Sequence, residues 1–449
     1  MSKKECMEAL AKEAGEKGLF NGAWLFANHG EIVSAGAVGW QDPENTVPLT
    51  TDSVFDLASV SKQFTAAAVM LLRRRGLIDL DDELTKFWPD LPYPGVKIRH
   101  LLTHTSGLPD YMGWVDRIAK KENTIPGNDI VIRFLREAGE KPLFAPGEGY
   151  AYCNTAYCVL AELVETLSGV KFEDFMRDEI FEPAGMHATR VRHPRKEGAF
   201  ENWARAMVRE NGRYVLPEAS ERDPYVVTLD GESGDGYVYS SANDLFRWDQ
   251  ALRAEKVLTK EEQEMMYAPS AKIPGTDEEN VGYGFGWVVF HAPELGRVLS
   301  HSGGWPGVST WYGRYLDADR VLVLLNCRQP TDGRGGDAFF RAMSAVGRGE
   351  DPPELTCIED IAVKSPDKSG WAAFCGKYEP DPGDDYIDEV FMKDGELWAN
   401  IVSDLGYPYT WRLYPLGENT FGFKEDEDDI EVEFGDGCFT VDGETHKKL

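Results

Sequence analysis

At 449 residues the chain is longer than one hydrophobic core supports, so two domains are expected. Its apolar content of 42% is that of an ordinary globular, enzyme-sized protein. A formal charge of −30 repels phosphate backbones and anionic lipid, which argues against nucleic acid and membrane surfaces as partners.

The first residues, Met1 to Cys6, carry charge and no apolar core of a signal peptide. The longest apolar run, Ala66 to Leu72, falls far short of the ~20 residues of a membrane span. Seven cysteines, at 6, 153, 158, 327, 357, 375 and 438, form no CxxC pair and fit reduced thiols. A cytoplasmic protein is expected, although a secreted chain trimmed of its leader would read the same way.

Residues 1–19 read as an amphipathic helix. The runs Ala23–Ala27 and Ile32–Val38 alternate around Asn28-His29-Gly30, a hairpin signal. A helix is then predicted from Ser59 to Arg75, free of Pro and Gly, with arginines at its end and Gly76 as the stop. Between about 77 and 200 a proline-punctuated region of helices and loops contains an apolar helix, Thr155 to Leu167. From about 280 the period changes to two, and Gly284–Phe290, Arg297–His301, Ser309–Tyr315 and Val321–Asn326 read as strands. Together these predict an α+β domain over 1–350, an antiparallel sheet with a helical block between its first and last strands.

A Gly/Pro boundary lies at 347–353. Beyond it, strand-like runs alternate with turn signals at Lys393-Asp394-Gly395, 416–419, Gly435-Asp436-Gly437 and Asp442-Gly443, which predicts a small antiparallel barrel over 355–449. Residues 357–449 hold 8 basic and 23 acidic side chains. Half of the net charge thus sits on about a fifth of the chain; most of these acids read as a solvated surface.

The stretch Ser59-Val60-Ser61-Lys62 sets a hydroxyl and an amine three residues apart on one helical face. A serine hydroxyl is a weak nucleophile until a base takes its proton, and a lysine serves only when neutral, which burial or a nearby positive charge provides. Spacing alone is a poor signal: Ser365-Pro366-Asp367-Lys368 repeats it in a polar stretch that cannot bury the amine. Tyr150-Ala151-Tyr152-Cys153-Asn154 precedes a helix and offers a phenol and an amide, suited to proton transfer and substrate positioning. The plainer reading there is a packed aromatic and an Asn N-cap. His301-Ser302-Gly303-Gly304 ends a predicted strand, where its glycines permit close backbone approach or simply a tight turn. His100 and His104 stand four apart without a third ligand and read as structural, so no metal is expected. The glycine-rich 282–287 run lacks a following helix to hold phosphate, and no cofactor is expected.

Ser59-Val60-Ser61-Lys62, Tyr152-Cys153-Asn154 and His301-Ser302-Gly303, in that order, resemble the serine β-lactamase and penicillin-binding-protein superfamily. With Leu101 to Leu108 (LLTHTSGL), the chain looks like the class C β-lactamase and D-peptidase branch, which includes D-aminopeptidases and esterases. The resemblance covers roughly residues 15–345. It implies a β-lactamase/transpeptidase-like domain followed by a lipocalin-like barrel, and an acyl-enzyme mechanism. Ser59 would attack, Lys62 and Tyr152 would act as bases, and Asn154 would hold the substrate amide. The backbone N–H groups of Ser59 and Gly304 would form the oxyanion hole.

His301 stands where many members have lysine, and a histidine of pKa ~6.5 is only partly charged at neutral pH. Peptidase activity on small D-amino-acid-containing peptides or amides is therefore expected before β-lactamase activity. A promiscuous carboxylesterase and a non-catalytic penicillin-binding or scaffold protein are the alternatives. An acidic residue of 357–449 is further expected to meet a substrate amine. The partner is a small molecule or short peptide; the sequence leaves the oligomeric state open.

Overall fold

Every residue from Lys62 to Leu72 is buried in the computed structural model, which describes residues 1–274, 281–379, 387–403, 405–424, 430–435, 437–441 and 444–449. A helix without a polar face belongs inside a core, and the helix Lys62–Arg74 packs there against the helix Asn154–Ser168. Phe64 meets Phe181 edge-on at 5.5 Å and Trp248 at 5.0 Å. Arg73 and Arg74 close the last turn, and Gly76 adopts φ +71 just beyond it.

The chain divides into two compact units. One comprises Gly22–Ala206 and Tyr225–Cys327. Among its described residues, an eight-stranded antiparallel sheet runs in the order Glu31–Val38, Gly22–Asn28, Arg320–Asn326, Val308–Tyr315, Gly296–Trp305, Val288–Ala292, Gly282–Tyr283, Ala271–Lys272. The early hairpin turns through His29 and Gly30, both at positive φ, and its first strand pairs with the last one, Gly22 opposite Asn326. The helical block is thereby inserted between two neighbouring strands, as the alternation and its position in the chain predicted.

Two strand boundaries differ from the sequence reading. Gly284 to Trp287 is a turn instead of a strand start: Gly286 takes φ +75, and the Gly284 amide donates to the Trp287 carbonyl at 2.8 Å. The strand read as ending near His301 instead continues through Trp305 and turns at Pro306-Gly307, so His301 to Gly304 lie within it. The glycines there had been weighed as a turn. Their actual reason is crowding. A Cβ on Gly303 would lie 2.3 Å from the Leu57 carbonyl oxygen.

A second, four-stranded sheet sets the entry to the buried helix. Its strand Val54–Asp56 pairs with Val238–Ser240 and runs directly into residues 57–61. Here the reading of one continuous α-helix from Ser59 needs correction. Ala58–Ser61 form a 3₁₀ turn, and the α-helix begins at Lys62. Ala58 sits at φ +45, a conformation costly for a residue with a Cβ, and the Asp56 carboxylate accepts its N–H at 2.8 Å.

The other unit comprises Met1–Asn21, Met207–Pro224 and Arg328–Leu449, so the boundary read at 347–353 falls inside it. The helix Lys3–Lys17 begins with a Ser2/Glu5 capping box and packs on the helix Gly333–Arg348. Asp332 caps that second helix and also accepts the Ile358 N–H, linking it to the following segment. Among the described residues, eight strands from Gly376–Glu379 to Glu444–Lys448 close into an antiparallel barrel. The hairpin at Asp394-Gly395 has both loop residues at positive φ, the two-residue turn its sequence indicates. The turn signals at Asp436 and Asp442-Gly443 lie outside the described residues. Leu397, Leu413, Phe421 and Phe439 form the barrel core.

One close contact ties the sheet unit's strands to its central helix. A Cβ on Gly286 would meet Gln63 Cα and the Lys62 carbonyl at 2.7 Å, with φ already positive. Gly286→Ala should therefore lower stability by about 2 kcal/mol or more. Urea unfolding measures this, and a wild-type midpoint would contradict the packing.

Candidate active site

In a 3₁₀ turn, side chains three residues apart eclipse, so Lys62 lies directly over Ser59. Lys62 is fully buried, and its Nζ donates three hydrogen bonds: to Ser59 Oγ at 3.0 Å, to Asn154 Oδ1 at 2.8 Å and to the Asp235 carbonyl at 2.8 Å. Those acceptors come from the 3₁₀ turn, the start of the helix Asn154–Ser168 and the loop before the strand Val238–Ser240. An ammonium has three N–H donors, and a buried one is costly unless all are used. The decoy pair is unlike this: Lys368 is exposed and bonds to the Gly395 carbonyl and Glu396, as the polar setting indicated.

Tyr152 is 43% exposed, and its ring lies beneath the Lys62 amine, 4.9 Å from Nζ to centroid. Its loop is held by His104. The His104 carbonyl accepts the Ala151 N–H at 3.0 Å, and His104 Nδ1 accepts the Cys153 N–H at 3.0 Å, so the amides on both sides of Tyr152 are fixed. The imidazole also underlies the phenol, ring centroids 4.3 Å apart. Burial first, then the charges of Lys62 and His301, hold His104 far below the usual imidazole range, so it stays neutral and able to accept. Sequence reasoning gave His104 a structural part only; its position in LLTHTSGL was the available signal. Cys153 is buried against the Leu108 carbonyl, 3.5 Å away, and burial pushes its thiol up to about 12.

His301 differs from expectation. It is 3% exposed, Nε2 is 2.8 Å from the Tyr283 hydroxyl and Nδ1 is 2.5 Å from the Ser302 carbonyl. Burial and then the Lys62 charge push its pKa down to about 3. It is neutral at physiological pH, where the sequence suggested a partial charge. Gly303 faces the Ser59 turn at close quarters, and Thr310 Oγ1 donates to the Leu57 carbonyl at 2.8 Å beside it. Ser302 and Gly304 fall on the exposed positions of the strand.

A cavity of about 180 Å³ opens at Ser59, and Asn154 and Gly304 line it together with Asp56, Tyr111, Asp235 and Trp305. Of the residues singled out in the sequence, Ser59, Asn154 and Gly304 therefore share one cavity, with Lys62 bonded to two of them from within the protein. Tyr111 and Asp235 had given no signal, since neither stands in a recognisable motif.

With a hydroxyl, an amine and a phenol assembled in motif order on this sheet, the family follows. The chain belongs to the beta-lactamase family, a family of serine hydrolases, whose model matches residues 7–346. Penicillin-binding protein 4* from Bacillus subtilis (strain 168) is 37% identical over 438 residues, 96% of this chain and 94% of its own length. Esterase EstB from Burkholderia gladioli is 30% identical over 371 residues, 74% of this chain and 91% of its own length. Among solved structures, a D-amino acid amidase from Ochrobactrum anthropi SV3 complexed with D-phenylalanine superposes with a TM-score of 0.60 at 24% identity, over 72% of this chain and 91% of that one. No helix among the described residues is long and apolar enough to cross a membrane.

The neutral His301 has a consequence for stability. Its folded pKa of about 3 lies below the usual 6.5, so the native state binds fewer protons than the unfolded one between those values. The contribution is complete above 6.5 and is lost as pH falls towards 3. Urea midpoints should drop on going from pH 7 to about 4, and His301→Gln, which cannot titrate, should show a shallower drop.

Proposed function

We propose that this chain hydrolyses small amides or short peptides with a D-amino-acid acyl part, through an acyl-enzyme on Ser59. The observation that carries this reading is the Lys62 ammonium hydrogen-bonded at once to Ser59 and Asn154. Ser59 Oγ bonds to the substrate carbonyl carbon, and its proton passes to the Lys62–Tyr152 pair. Lys62 gives a base that needs no solvent, and Tyr152, half exposed, can pass a proton to the departing amine. The C–N bond then breaks and leaves an ester on Ser59, and water activated by Tyr152 hydrolyses it. Asn154 has its Oδ1 engaged with Lys62 and keeps its Nδ2 donors for the substrate carbonyl of the acyl side chain. The Ser59 and Gly304 N–H groups would stabilise the oxyanion.

A neutral His301 supports amides over β-lactams and over peptides ending in a carboxylate, because it offers no cation to bind that charge. The similarity to EstB keeps an esterase as the second reading, served by the same residues. A hydrolysis panel of D- and L-aminoacyl amides, short esters and a chromogenic cephalosporin separates these readings. D-Amides should be turned over fastest. Ser59→Ala should abolish both turnover and labelling by a fluorescent phosphonate, and Tyr152→Phe should lower kcat by about 10²–10⁴. A folded protein that no phosphonate labels would leave the scaffold alternative standing.

A further inference from the structure

The charge of the cavity at Ser59 is one-sided. Among its lining residues two are acidic, Asp56 and Asp235, and none is basic. The two acids are placed differently. Asp56 has internal work: it accepts the Ala58 N–H at 2.8 Å, hydrogen-bonds with Tyr239, and burial raises its pKa. Asp235 is 8% exposed, and its Oδ2 accepts the Tyr111 hydroxyl at 3.1 Å. Its Oδ1 accepts no hydrogen bond among the described residues. The neighbouring Cys158 thiol, pushed far up by burial and next by Asp235, is a weak donor. Lys62 bonds to the main-chain carbonyl of Asp235 and makes no ion pair with its carboxylate.

A carboxylate left short of donors in a buried wall is costly, and a cation that fills the place removes that cost. The Asp235 main chain is held 2.8 Å from the amine that bonds to Ser59, so the side chain opens beside the reacting centre. We propose that Asp235 is a specificity-determining residue that binds a free ammonium group on the acyl part of the substrate. This rests on the hydrolase reading above and narrows it to aminoacyl amides and peptides with an unblocked amino terminus. It gives Asp235 the role that the sequence reading assigned to an acidic residue of 357–449. Tyr111 holds the carboxylate in place through Oδ2 and leaves Oδ1 for the ligand.

Binding tests this apart from turnover. Full-length Ser59→Ala protein is titrated by calorimetry with D-phenylalanine amide and with N-acetyl-D-phenylalanine amide, identical but for the charge. The free amine should bind about tenfold more tightly, the scale of one hydrogen bond to a charged group. Adding Asp235→Asn, which keeps the carbonyl that Lys62 needs, should bring the ratio near one. Equal binding of the two amides, no binding of the amine, or a preference that survives Asp235→Asn overturns the proposal. Should the double variant not fold, the ratio in Ser59→Ala alone still decides. Turnover of either amide by the unaltered chain is read separately, so failure of the hydrolase reading and failure of the Asp235 assignment remain distinct.

Discussion

A lysine ammonium without contact to solvent holds three parts of the chain in register. Lys62 reaches Ser59 three residues before it, Asn154 at the head of the next buried helix, and the Asp235 carbonyl ahead of a strand of the smaller sheet. Each acceptor satisfies one donor that burial would otherwise leave unmet, so the three segments must arrive together. The positive φ of Ala58, the Asp56 cap on its amide and the absence of a Cβ at Gly303 and Gly286 all allow this approach. The strain at Ala58 persists because the strand Val54–Asp56 on one side and the buried helix on the other leave the chain no other path.

Around that centre the protein keeps its histidines neutral. His104 and His301 are both buried within reach of the Lys62 charge, and both are pushed down by burial first and by that charge next. A neutral His104 can accept the Cys153 amide and so fix the loop that carries Tyr152. A neutral His301 withholds a cation from the substrate side of the site. The cavity is left with a negative bias from Asp235, which turns the substrate preference from anions towards amines. The same desolvation that arranges the lysine thus also selects what it works on.

Much of the fold was legible in the sequence because its signals are local. The hairpin at His29-Gly30, the apolar helix at 154–168 and the Asp394-Gly395 turn each follow from turn chemistry or periodicity within a few residues. The strand limits near 284 and 301 were less legible. A glycine run reads as a turn in either case, and only the neighbouring Lys62 helix and Leu57 carbonyl reveal where close contact demands it. The split of the helix at Ser59 into a 3₁₀ turn and an α-helix is likewise imposed from outside, by the strand that enters it.

The sequence by itself determined the nucleophile motif, its order with the tyrosine and histidine motifs, and hence the family, because those residues must recur at fixed places for the chemistry to exist. The tertiary structure decided the charge of the site. Whether a histidine carries a proton, or an aspartate keeps an unused oxygen, depends on burial and on partners 100 or more residues away, as Tyr111 is from Asp235 with 124 residues between them. No local pattern encodes that distance.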